Sequence, residues 1–175
     1  MDTWALGKGL TTIEAVLDTI GPAILRADGL TVSGGEPFEQ PDALAALLSG
    51  WRDGGGGDVL VFSGRSLEEI APALRDLDGL VDAVIADPFR RDLPQTRALR
   101  GSDNQRLVAL SAIGAERFVA YEAPIDETAR ALDILFDDET GDAFLAGIPR
   151  PGDMTRLAAA LRAVGHSAVT TEDAR

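Results

Sequence analysis

The chain has 175 residues, 45% of them apolar and 26% charged, which suits one domain with a core of its own. A net charge of −13 repels phosphate backbones and anionic lipid, which argues against nucleic-acid binding and membrane docking. Zero cysteine and a single histidine, His166, exclude disulfides, thiol nucleophiles, cysteine-ligated clusters and multi-histidine zinc sites within these residues.

No apolar run reaches the roughly 18 residues of a membrane span. Met1-Asp2-Thr3-Trp4 lacks the basic start of a signal peptide, so a cytoplasmic protein is expected. Thr11-x-x-Glu14 reads as a capping box opening a helix to about Ile20, with Ile13, Val16, Leu17 and Ile20 on one face. Leu30-Thr31-Val32 is a short strand, followed by Gly34-Gly35 and Pro37. Pro41 suits the first turn of a second helix, carrying Leu44, Leu47 and Leu48 and ending near Gly50.

Gly54 to Gly57 reads as a flexible loop. Val59-Leu60-Val61-Phe62 is a continuous apolar run, the pattern of a strand buried on both faces. Ser66-x-x-Glu69 is a second capping box, with a helix to about Leu77. Val81 to Ala86 is another apolar strand, ending at Asp87-Pro88. This β-α-β-α-β order predicts an α/β domain with a mostly parallel sheet.

Pro88 to Arg106 is long and polar, and a loop of that length in a compact domain is more often functional than accidental. Leu132 to Phe136 and Ala143 to Ile148, around the turn Asp138-Glu139-Thr140-Gly141, predict a hairpin. The acidic Asp137-Asp138-Glu139 lacks the ligand spacing of a calcium loop and reads as a solvated turn. Gly152 to Val164 is a last amphipathic helix, and Ser167 to Thr170 a final strand. His166 falls at that helix end, where the dipole favours it without any catalytic role.

In a parallel α/β sheet, ligands gather at the carboxyl ends of the strands. Three such ends stand out: Ser33-Gly34-Gly35-Glu36-Pro37, Ser63-Gly64-Arg65 and Asp87-Pro88-Phe89. Paired glycines let a backbone approach a ligand closely and offer its carbonyls to an ammonium group. Pro37 stiffens the turn, and Glu36 adds negative charge beside a cation. A bare Gly-Gly is more often explained as a tight βα turn.

The longer string Val32-Ser33-Gly34-Gly35-Glu36-Pro37-Phe38-Glu39-Gln40 resembles the S-adenosylmethionine-binding segment of radical S-adenosylmethionine enzymes. More specifically, it is similar to the single-cluster activating enzymes of anaerobic ribonucleotide reductase and related glycyl-radical activases. Val61-Phe62-Ser63-Gly64 fits their third strand, and Leu80 to Phe89 resembles their fourth. Leu99-Arg100-Gly101-Ser102-Asp103-Asn104-Gln105-Arg106 is similar to their Arg-Gly-Ser-x-Asn-Gln signature, and Thr3-Trp4 fits a pair just after the cluster cysteines. The resemblance spans roughly residues 3 to 108, with the motifs in order, whereas each alone would be weak.

The resemblance implies that Ser33, Gly34, Gly35, Glu36 and Pro37 hold the methionyl end of S-adenosylmethionine, with Ser63 and Asp87 nearby. Arg100, Ser102, Asn104, Gln105 and Arg106 would face a substrate or partner. It further implies an oxidoreductase that cleaves S-adenosylmethionine with a [4Fe–4S] cluster and a flavodoxin or ferredoxin as electron donor. The partner would be a polypeptide such as a glycyl-radical enzyme. The implied fold is a partial (βα) barrel over 1–112, its first strand missing. A hairpin and helix over 113–175 would pack on the same domain and leave a homodimer open.

The family's Cys-x3-Cys-x2-Cys loop has no counterpart here. A reading frame started too late is the favoured explanation, and loss of the cluster the other. As written, the chain is expected to be inactive. The rival reading is a non-catalytic module that binds a nucleoside or a protein.

Overall fold

The computed structural model describes residues 10–125, 133–136, 143–146, 152–163 and 165. The chain divides into two compact units, Met1–Ile125 and Asp126–Arg175. Helix α1 (Ile13–Ile24) is capped by Thr12, whose hydroxyl accepts from the Ala15 amide at 3.2 Å. The cap therefore falls one residue later than the Thr11 capping box predicts. The helix also runs past Ile20 with Pro22 inside it. The missing Pro22 N–H frees the carbonyl of Asp18, which lies on the exposed flank where water can satisfy it. Continuing to Ile24 brings that side chain into the core beside Ile20.

Strand β1 (Gly29–Val32) leads through a 3-10 turn (Pro37–Glu39) into α2 (Pro41–Asp53), which buries Leu44, Leu48 and Trp51. Gly50 lies inside α2 rather than ending it. A Cβ there would sit 2.4 Å from Leu17, so this glycine serves the close approach of α1 to α2. Strand β2 (Asp58–Phe62) is followed by α3 (Leu67–Asp76). The Ser66–Glu69 capping box opens α3 as its sequence predicts, with both reciprocal bonds made.

Strand β3 (Ala83–Ala86) is wholly buried. Strand β4 (Arg106–Ala109) and helix α4 (Ala112–Phe118, capped by Ser111) then complete this unit's main elements. The sheet order is β1-β2-β3-β4. β1, β2 and β3 run parallel, whereas β4 is antiparallel to β3. The sheet is therefore mixed. Neither β4 nor α4 is announced by a strong local pattern in the sequence after the polar loop. The four residues Arg106, Leu107, Val108 and Ala109 are too few to declare a period.

Alternation across β2 and β3 builds two apolar layers. Val59, Val61, Val84 and Ala86 join Phe38, Leu44, Leu48, Trp51, Ile70 and their neighbours in one cluster. Leu60, Ala83 and Ile85 form the other with Phe118 of α4, flanked by Phe62 and Leu107. The near-continuous hydrophobicity of these strands follows from burial on both faces.

In the second unit, β5 (Asp133–Phe136) and β6 (Ala143–Ala146) pair antiparallel, from Asp133 opposite Ala146 to Phe136 opposite Ala143. Helix α5 (Asp153–Ala163) follows Gly152. The hairpin and helix predicted from the pattern are thus present. Thr3-Trp4, the acidic turn at 137–139, His166 and the strand expected at 167–170 lie outside the described residues. No described helix is long and apolar enough to cross a membrane.

Candidate functional site

Parallel pairing puts the carboxyl ends of β1, β2 and β3 at one end of the sheet. Ser33, Ser63 and Asp87 follow those strands directly. Antiparallel β4 places Arg106 opposite Ala86, which brings the loop ending at Gln105 to the same end. The Gly34-Gly35 bend and the stretch around Asn104 therefore share one end of the sheet.

Gly34 and Gly35 have φ of +92° and +56°, in the left-handed region where only glycine is unstrained. Among the described residues, a Cβ on either would meet no atom within 4 Å, and both glycines are exposed. Beside it lies an apolar cavity of about 170 Å3, lined by Ile13, Val32, Pro37, Leu44 and Leu47 among others. It is smaller than the roughly 300–1,000 Å3 of a whole-ligand pocket, so it accommodates part of a molecule at most.

Glu36 ties the first two strand ends together. One carboxylate oxygen accepts from the Phe38 amide at 3.2 Å and the Ser63 hydroxyl at 2.9 Å. The other accepts from the Gly64 amide at 2.9 Å. Ser63 is buried, donates its amide to the Ile85 carbonyl at 2.8 Å and accepts from the Arg65 amide at 3.1 Å. The bend thus sits on a braced base while its own backbone stays open.

The third strand end is held by charge. Asp87 adopts φ +88°, rare for a residue with a side chain. Its carboxylate receives a forked pair of bonds from Arg106 at 2.6 and 2.8 Å. The same guanidinium forks onto Glu68 of α3 at 2.8 and 2.7 Å. Arg106 thereby joins β4, the β3 terminus and α3. Its guanidinium holds Asp87 below the usual carboxylate range, and with the Glu68 backbone amide it holds Glu68 at about 2. Arg106→Gln is expected to raise Glu68 toward the range of a free glutamate, the backbone amide retaining part of the lowering. A carboxyl-carbon NMR titration reads this directly, and an unmoved Glu68 would show that another donor controls it.

The remaining loop residues use their polar groups on the chain itself. Ser102 accepts from the Arg90 amide and donates to Asn104, which donates in turn to the Pro88 carbonyl at 2.8 Å. Gln105 donates to the Asp87 carbonyl at 3.0 Å and accepts from the Gly101 and Ser102 amides. Arg100 is only 1% exposed and donates to the Tyr121 carbonyl and the Glu122 carboxylate, while its Nε has no partner among the described residues. Sequence reasoning placed these residues at the site but missed Glu68 and Glu122. Nothing in their local pattern distinguishes them from other surface acids.

The model of the 4Fe-4S single cluster domain family matches residues 1–108. The chain belongs to the 4Fe-4S single cluster domain family.

Among curated relatives, it is similar to the anaerobic ribonucleoside-triphosphate reductase-activating protein of Salmonella typhi, 28% identical over 111 residues. The protein of the same description from Escherichia coli strain K12 is 27% identical over 111 residues. Each match covers 59% of this chain and 72% of the relative. No solved structure matches the chain.

The family's description names a cluster, and iron–sulfur clusters are held by cysteine thiolates. The 175 residues contain no cysteine. Among the described residues, no group of three acidic or histidine side chains is placed to hold a metal ion either. The residues present do not fit the cluster of the 4Fe-4S single cluster domain family. What they do supply is the braced, open glycine bend.

Proposed function

We propose that this chain is the S-adenosylmethionine-binding part of a radical-generating activase whose target is a polypeptide. The observation that carries the reading is the Gly34-Gly35 bend, open to solvent and sharing one sheet end with Ser63 and Asp87. Carbonyls of the bend would receive the methionyl ammonium group. Glu36 would set the shape of the bend and add a negative field that favours a sulfonium. Asp87, fixed by Arg106, would bound the far side. The description of the relatives as reductase-activating proteins supports the polypeptide target.

On this reading the three parallel strands belong to a partial (βα) barrel. The oxidoreductase chemistry, with its flavodoxin or ferredoxin donor, needs thiolates that these residues do not contain. The chain by itself should bind the ligand without transforming it.

Without a metal to hold the ligand, affinity should be weak, with Kd on the order of 1 mM. Titration of the 15N-labelled chain with S-adenosylmethionine should move the amides of Gly34, Gly35, Ser63 and Gly64. Gly35→Val should abolish those shifts, because a β-branched residue is strained at φ +56°. Shifts centred on another part of the fold, or none at roughly tenfold excess over that Kd, would reject the assignment.

The lack of cysteine favours a second reading, a nucleoside- or protein-binding module without redox chemistry. Micromolar affinity for S-adenosylmethionine in the cluster-free chain would support that alternative.

A further inference from the structure

Ser63 stands where the three strand ends meet. A hydroxyl offers one donor and two acceptor sites. The Ser63 donor goes to the Glu36 carboxylate at 2.9 Å, and an acceptor site takes the Arg65 amide at 3.1 Å. The Ser63 amide holds the Ile85 carbonyl of β3 at 2.8 Å. Two residues on, the Arg65 carbonyl accepts from the Asp87 amide, also at 2.8 Å. The exit of β2 is thereby tied to the exits of β1 and β3 alike.

The hydroxyl is placed to work on the chain and not on a ligand. Ser63 is only 4% exposed, and its one proton is committed to a carboxylate. Glu36 directly follows Gly35, so whatever fixes Glu36 fixes one end of the bend. Without the Ser63 hydroxyl, Oε1 of Glu36 would keep only the Phe38 amide, a contact within its own turn. The Gly64 amide on the other oxygen would be its remaining bond to the β2 exit.

From this we infer that Ser63 is a positioning residue, which orients the Gly34-Gly35 carbonyls through Glu36 and touches no ligand itself. The inference deepens the S-adenosylmethionine reading and rests on it for the identity of the ligand. Three physical points support it. Glycines carry no side chain to pack, and both of these lie at positive φ, so the bend must be ordered from its flanks. A hydrogen bond to a carboxylate is stronger than one between neutral groups, which suits it to that task. A bend already fixed loses less freedom when a ligand seats on it.

The test uses the full 15N-labelled chain, first alone and then titrated with S-adenosylmethionine. In the unliganded chain, Ser63→Ala should lower the backbone order of Gly34 and Gly35 measured by 15N relaxation. It should also weaken S-adenosylmethionine binding by about fivefold or more. Ser63→Thr keeps the hydroxyl and should restore affinity to within about twofold. Glu36→Gln cannot accept on both of its arms, so it should weaken binding by itself. If Ser63 acts through Glu36, the double variant S63A/E36Q should bind no more weakly than E36Q. Losses that multiply in the double variant would mean that Ser63 meets the ligand directly, and would overturn the proposal. Unchanged glycine order in S63A would overturn it too, as would an S63T chain with the wild-type unfolding midpoint but the affinity of S63A. The two readings separate. A wild-type chain that fails to bind S-adenosylmethionine removes the ligand assignment, while the relaxation measurement, which needs no ligand, still decides whether Ser63 holds the bend. Normal binding in S63A, with ordered glycines, removes the role of Ser63 and leaves the assignment.

Discussion

Replacing Asp82 with alanine should destabilise the fold by about 3 kcal/mol, the low end for removing one member of a buried ion pair. Asp82 lies at the amino end of β3, at the opposite end of the sheet from the candidate site. Its side chain is only 5% exposed. One carboxylate oxygen accepts from Arg52 at 2.5 Å and from the Val59 amide at 2.8 Å. The other accepts from the Ser111 hydroxyl at 2.6 Å. Removal would take this acceptor from three donors, leaving Arg52 Nη2 only the Leu80 carbonyl at 3.3 Å, and Arg52 already has a buried Nε without a partner among the described residues.

The same residue sets a pH dependence. Burial pushes the Asp82 carboxyl up, but the Ser111 hydroxyl, the Arg52 guanidinium and the Val59 amide together outweigh it and hold the group below its ordinary value. A carboxyl lowered in the folded state contributes stability at pH above its unfolded value. That contribution is lost as pH falls through the folded value. Urea unfolding from neutral to acid pH should therefore show wild type and Asp82→Asn converging as the solution becomes acid. Parallel curves across the whole range would mean that Asp82 carries no such linkage.

Gly114→Ala should be as damaging, by about 3 kcal/mol, for steric reasons. A Cβ at Gly114 would lie 1.9 Å from the carbonyl oxygen of Asp82, and backbone cannot rotate aside as a side chain can. The Asp82 carbonyl also accepts from the Leu110 amide at 2.7 Å, which fixes it further. Helix α4 would have to lift from the sheet, loosening Phe118 from Leu60, Ala83 and Ile85. Chemical denaturation measures the loss, and a variant as stable as wild type would show that α4 is free to shift. Because Gly114 and Asp82 touch, the double variant should be less damaging than the two single effects combined.

These two positions show how the fold divides between local and distant causes. Strong local signals were legible in the chain: the Ser66–Glu69 box, Pro41 at a helix start, the apolar runs at β2 and β3, the hairpin at 133–146. Each depends on neighbours a few residues away, so its physics is contained in a short window. The grouping of the three strand ends was also legible, because parallel pairing follows from the alternation of strand and helix.

Contacts between residues far apart in sequence were not. Arg106 meets Glu68 across 38 positions, and Asp82 meets Arg52 across 30. Glycine spacing alone cannot tell that Gly114 serves an Asp82 carbonyl while Gly35 serves an open bend. By itself, the sequence determined most of the strands and helices, β4 and α4 excepted, and that the polar motifs cluster at one sheet end. Only the tertiary structure decided the partners: that β4 turns back antiparallel, that Glu36 braces Ser63, and that Ser102, Asn104 and Gln105 spend their polar groups on the backbone of residues 87–90. The reason is that helix and strand periods are local properties of the chain, whereas a hydrogen-bond partner is chosen by whichever group packing brings within about 3 Å.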